Sequence, residues 1–227
     1  MNLSDKPLSH QRMQIMKRDK ENINLLKAYN MLLYFAGSMI MKEPSDECIN
    51  DFWTRGTVKN LPVKSSNPRF IKAASILRDS CRDKDTCREK MVADYRRLFD
   101  SDGPRLVPVC ESEYTDRLND DFPARTTVDE FYRTYGWNPD QHHHVPHDHL
   151  GIELLFLTRL TDKFTSFDDE PCMRELGKEI IRFINLHILS WVPAWNDRMQ
   201  QHAQSECYKG VGYLIYACIE DIRGILS

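Results

Sequence analysis

The side chains best suited to chemistry stand together in Gln141-His142-His143-His144-Val145-Pro146-His147-Asp148-His149, five imidazoles and one carboxylate in nine positions. Imidazole nitrogens and carboxylate oxygens are metal ligands. A centre built on His147 and Asp148 would need another histidine upstream and an aspartate downstream, each on its own helix. His10 is the only histidine before position 142, and it lies in a polar stretch. No metal centre is therefore expected, and His142, His143 and His144 read as a solvated loop with adventitious metal affinity. Nucleophilic templates are missing too: there is no GxSxG, no P-loop and no GxGxxG. Cys110 is followed by Glu111, whose charge disfavours a thiolate, so no catalytic residue is assigned. Four acidic groups, Glu111, Glu113, Asp148 and Glu153, border Tyr114, Phe122, Tyr135 and Trp137. Carboxylates beside apolar surface suit a peptide that is basic at one end and hydrophobic along the rest; a solvated acidic loop is the plainer reading. Trp191-Val192-Pro193-Ala194-Trp195 is either a stacking platform for a ligand or a packed corner of the core.

These residues have to be placed by helices. Over 20–41 the apolar positions Ile23, Leu26, Tyr29, Leu32, Leu33, Ala36 and Ile40 recur at threes and fours, which marks one buried face. Ser45 can cap a short helix carrying Ile49, Phe52 and Trp53. Asn67-Pro68 is a cap followed by a proline at the first helical position. A stripe of Met91, Val92, Tyr95, Leu98 and Phe99 predicts a helix over 85–99. Thr127 and Glu130 form a capping box, and Gly136 ends the helix it opens. Three more helices are expected over 147–163, 168–189 and 203–226. No segment alternates with a period of two between hairpin turns. The class is all-α: a single domain of about eight to ten helices in two packed lobes. The N-terminal lobe spans about 1–100 and the C-terminal lobe 126–227. Between them, 100–125 is a long connection of the kind that serves as a functional loop or hinge.

Composition narrows the function. The chain has 227 residues, with 31 basic against 34 acidic side chains and a net charge of −3. That balance argues against a general nucleic-acid binder. Seven cysteines, without a CxxC pair, read as free thiols in a reducing compartment. The longest apolar runs are about half the length a bilayer demands. With no legible signal peptide, the chain is expected to be soluble and to stay where it is made.

Taken in order, four motifs resemble the TorD/DmsD/NarJ-type redox-enzyme maturation chaperones, most closely the TorD (TMAO reductase chaperone) branch. Asp94-Tyr95-Arg96-Arg97-Leu98-Phe99 resembles the family's aromatic-x-R-L-F helix end. Pro108-Val109-Cys110-Glu111-Ser112-Glu113-Tyr114 resembles the P-x-x-x-S-x-aromatic loop. Pro146-His147-Asp148-His149, running into Leu150 to Leu157, resembles the P-x-D-H signature and its following helix. His187-x3-Trp191-x-Pro193 resembles the late H-x3-W-x-P corner. The chain departs from the family at Val145, where many members carry Glu, and near Arg105, where some place a tryptophan.

The resemblance implies a cytoplasmic chaperone without enzymatic activity and without a cofactor of its own. It would bind the twin-arginine signal peptide and apo form of a molybdoenzyme of the DMSO/TMAO reductase type, assist cofactor insertion and hold back export. Tyr95, Leu98, Ser112, Tyr114, Pro146, Asp148 and His149 are the peptide-binding residues it implies. A monomer or a domain-swapped dimer is compatible with the long connection. Two alternatives stand beside it. One is a metal-dependent HD-type phosphohydrolase using the His147-Asp148 region, and the other a helical scaffold for a folded partner.

Overall fold

The apolar stripe read over 20–41 belongs to a longer helix. In the computed structural model, whose described residues are 10–49, 56, 60–80, 84–100, 105–115, 127–139 and 145–227, α1 runs His10–Met41. Eight further α-helices follow among those residues: α2 Asp46–Ile49, α3 Pro68–Asp79, α4 Lys84–Phe99, α5 Val128–Thr134, α6 Leu150–Thr165, α7 Glu170–Phe183, α8 Val192–His202 and α9 Glu206–Leu226. The described residues contain no strand, only an isolated antiparallel bridge between Cys110 and His149. The all-α reading holds. Phe52 and Trp53 fall outside the described residues.

Helices α1 and α9 pack together and organise the rest. Helix α1 packs along α6 and α9, and α3 lies along α9. Two partners explain why α1 buries more than a narrow stripe: Leu26, Tyr29, Leu32, Leu33, Phe35, Ala36, Met39 and Ile40 are all buried. Met31 and Tyr34 fall off that face and are 63% and 65% exposed. The α3 stripe Phe70, Ala73 and Leu77 is buried where it meets α9.

Local signals set the helix ends. Asn67 Oδ1 accepts the Arg69 amide at 2.9 Å and opens α3. Glu130 reaches back to the Thr127 amide at 3.1 Å to open α5. Gly136, at φ +63°, then turns the chain in a conformation that disfavours any side chain with a Cβ. Two carboxylate junctions, half-buried at Asp221 and buried at Asp94, lock helices together. Asp221 of α9 accepts from Tyr29 Oη at 2.7 Å, Ser65 Oγ at 2.6 Å and Asn67 Nδ2 at 2.9 Å. Asp94 of α4 accepts the Gln204 and Ser205 amides at 3.0 and 2.8 Å, and so holds the cap of α9.

Three elements differ from the sequence expectation. Helix α6 begins at Leu150 rather than near 147, after a turn. Helix α7 passes at its end into a π turn, Ile184–Ile188, closed by the Leu189 amide on the Ile184 carbonyl at 2.7 Å. Helix α8 was not expected at all, because Pro193 reads as a break; it occupies the first turn, where a missing N–H costs nothing. The reading of seven free thiols is also corrected. Cys110, Cys172, Cys207 and Cys218 are free thiols, whereas Cys87 is disulfide-bonded. An odd count leaves room for such a pair. Among the described residues, no helix is long and apolar enough to cross a membrane.

Candidate functional site

After α4 the chain returns along the molecule, and the Val107 amide donates to the Leu98 carbonyl at 3.2 Å. Val107 and Val109 are buried, as an extended segment with one face on the core requires. At Cys110 it meets the turn before α6. Leu150 N donates to Val109 O at 2.8 Å, and Glu111 N donates to Asp148 O at 2.9 Å. These two backbone bonds join residues some forty positions apart, which fixes the P-x-D-H turn against the loop that precedes it. A single turn of 3₁₀ helix, Glu111–Glu113, follows.

The turn's free amides are taken by carboxylates. Glu113 Oε2 accepts from Cys110 N at 3.1 Å, and Asp148 Oδ2 accepts from Ser112 N at 3.0 Å. Tyr114 donates its hydroxyl to Pro108 O at 2.9 Å and lays its ring on Trp191 at 5.2 Å between centroids. On the other side, Tyr132 Oη donates to His147 O at 2.9 Å. His147 Nδ1 lies 2.7 Å from Asp129 Oδ1. His149 is the cap of α6: its Nδ1 accepts the Gly151 amide at 3.0 Å, which places the proton of the neutral ring on Nε2.

Asp148 and His149 therefore hold different elements. His149, buried, holds the helix end, and Asp148, half-buried, holds the neighbouring loop. Ser112 and Pro146 are exposed and Tyr114 is half-buried, so Ser112, Tyr114, Pro146, Asp148 and His149 come together where the two segments pair. Tyr95 and Leu98 join them only through the Leu98 carbonyl. Leu98 is fully buried, a core side chain, and Tyr95 packs edge-on against Phe99 at 5.4 Å. Burial, then the charges of Asp100 and Glu43, push the Tyr95 phenol above its ordinary range.

The set of four carboxylates is reduced by the fold. Glu111 and Glu153 are 3% and 0% exposed and turn inward, which leaves Asp148 and Glu113 near the surface. Both still border apolar material. Cys110 is a poor nucleophile: burial first, then Asp148 and Glu113, push its thiol up to about 12. Trp191 and Trp195 are 1% and 0% exposed, so this cluster packs a corner of the core and is no platform. Among the described residues, no three histidine, cysteine, aspartate or glutamate side chains could hold a metal ion; His142, His143 and His144 lie outside them.

Sequence reasoning missed a groove of about 490 Å³ between α1 and α6, beside the P-x-D-H turn. Leu33, Tyr34 and Met41 line one wall, and Val145, Leu155 and Thr158 the other. Gly151 forms part of its floor, and a Cβ there would have to displace the Met41 side chain. The available signal was Tyr34, a large aromatic standing off the buried stripe.

Comparison with known proteins agrees with the motif reading. The model of the nitrate reductase delta subunit family matches residues 67–197. The chain is 26% identical over 201 residues to "Chaperone protein TorD" of Vibrio cholerae strain O395, covering 86% of this chain and 90% of that one. It is 25% identical over 210 residues to "Chaperone protein TorD" of Vibrio vulnificus strain CMCP6, at 86% and 95% coverage. The protein of the same name from Aliivibrio salmonicida is 24% identical over 208 residues, at 87% and 96% coverage. The matched region contains the 3₁₀ turn, the P-x-D-H turn and the His187–Trp191 corner, and by this match the chain belongs to the nitrate reductase delta subunit family, that of the TorD-type redox-enzyme maturation chaperones.

Proposed function

We propose that this chaperone binds the twin-arginine signal peptide and the apo form of a molybdoenzyme of the DMSO/TMAO reductase type. It acts in the cytoplasm, keeps the client open for cofactor insertion and holds it back from export. The observation that carries this reading is the adjacency of two surfaces. Asp148 and Glu113 bring negative charge to the loop, while the groove beginning at Val145 and Gly151 offers apolar walls. A twin-arginine leader has the complementary order, two guanidinium groups followed by a hydrophobic stretch. Guanidinium pairs well with a carboxylate in planar, two-point geometry, and an apolar segment suits a groove between helices. Family membership supports the same reading.

Co-expression tests it directly. The chain is produced with a twin-arginine molybdoenzyme in a host unable to make the molybdenum cofactor, and complexes are isolated through the chaperone. The client is expected to co-purify with its leader intact, and to be lost when both leader arginines are replaced by glutamine. Equal recovery of the leaderless client would show recognition elsewhere and overturn the assignment of the leader to this site.

A further inference from the structure

Two ionisable side chains that leader binding leaves unused face each other inside the protein. Glu111 Oε2 lies 3.1 Å from His187 Nδ1, and each side chain is 4% exposed. Glu111 opens the 3₁₀ turn, and His187 stands in the π turn after α7. The imidazole is held between Phe131 and Phe183, at 5.2 and 5.6 Å between ring centroids. Its backbone carbonyl accepts the Trp191 indole N–H, and Trp191 carries the ring of Tyr114. His187 is thus fixed by its surroundings before it meets Glu111. Its Nε2 is buried without a hydrogen-bond partner among the described residues, so a proton there would be an orphaned donor. The tautomer that fits carries the proton on Nδ1 and donates it to Glu111.

The backbone of the same glutamate serves the surface. Glu111 N donates to Asp148 O, and the next amide, Ser112 N, donates to Asp148 Oδ2. We propose that the Glu111–His187 pair is a positioning latch, which fixes the 3₁₀ turn against the π turn and so sets where Ser112 and Asp148 stand in the leader site. This rests on the reading of Asp148 as part of that site. Two apolar side chains of similar size would fill the same space, often without loss of stability, because burying a carboxylate and an imidazole is costly. They would not reproduce a directional bond. The latch therefore separates two quantities that an ordinary core contact keeps together, global stability and the order of the turn.

The test uses the full chain with the double replacement Glu111→Leu and His187→Phe, and the single replacement Glu111→Gln. Glutamine keeps an oxygen able to accept from Nδ1. Hydrogen exchange at the Ser112 amide is measured without peptide, and a twin-arginine leader peptide is then titrated calorimetrically. Glu111→Gln should exchange Ser112 and bind the leader within about threefold of the parent. The double variant should melt close to the parent, yet exchange Ser112 about tenfold faster or more and bind about tenfold more weakly. Should it fail to fold, Glu111→Met carries the comparison, since it keeps the side-chain length and removes only the acceptor. A Ser112 amide as slow as the parent's in the apolar variant overturns the latch. A parent that does not bind the leader overturns the leader reading instead, and the exchange measurement distinguishes the two failures.

Discussion

Asp148 and His149 are neighbours with separate duties, and the difference is measurable. The Asp148 carboxylate accepts the Ser112 amide across a gap of 36 residues and stands half-buried in the turn between Val145 and Gly151, which line the groove. His149 turns inward and accepts the Gly151 amide at the start of α6. A charge-assisted hydrogen bond contributes about 1.5–3 kcal/mol, so Asp148→Ala should weaken leader binding roughly ten- to a hundredfold. Its melting temperature should fall little, because Ser112 is exposed and water replaces the lost acceptor. His149→Ala removes a cap and should cost about 0.5–2 kcal/mol of stability, with a smaller effect on the affinity of the folded protein. Paired titrations and melting curves check both. Equal affinity for parent and Asp148→Ala would make this carboxylate a loop staple alone.

At the scale of elements, what could be read from the sequence was whatever is decided locally. Asn67-Pro68, the Thr127–Glu130 box and Gly136 mark helix ends within a few residues of themselves, and each end lies where the sequence places it. The start of α6 was misread for the opposite reason. Pro146 resembles a first helical residue, yet the turn it opens is held by distant groups, Glu111 N on Asp148 O and Leu150 N on Val109 O. Pro193 reads as a break and stands in the first turn of α8, and local sequence permits both. The site shows the same boundary. Its motifs were legible as residues, but that Glu111 and Glu153 point inward depends on how α6 and the π turn pack. Trp191 joins these elements: it is 1% exposed, donates its indole to His187 O and carries Tyr114. Trp191→Ala should cost about 3–5 kcal/mol, read as a lower denaturation midpoint in urea. An unchanged midpoint would mean that this corner does not hold the loop to the helices.

The whole molecule carries a pH signature set by its buried acids. Burial pushes the Cys110 thiol up to about 12, and raises Cys207, Cys218, Tyr132 and Tyr208 well above their ordinary values. In the unfolded chain thiols titrate near 9 and phenols near 10. Between those values and the raised ones the folded state holds protons that the unfolded state has released. Stability is therefore fully present below about pH 9 and falls as pH rises through the interval to 12. Urea midpoints should decline steadily above about pH 9, and a flat profile would place these groups in water. We propose that Asp148, Glu113 and the α1–α6 groove form the surface that meets a client. The claim that this surface receives a twin-arginine leader is tested most directly by calorimetric titration of the purified protein with a synthetic leader, beside the same peptide with both arginines replaced by glutamine. We expect saturable one-to-one binding of the first and binding about tenfold weaker or more for the second. Equal affinity for the two peptides, or no heat from either, would contradict the account.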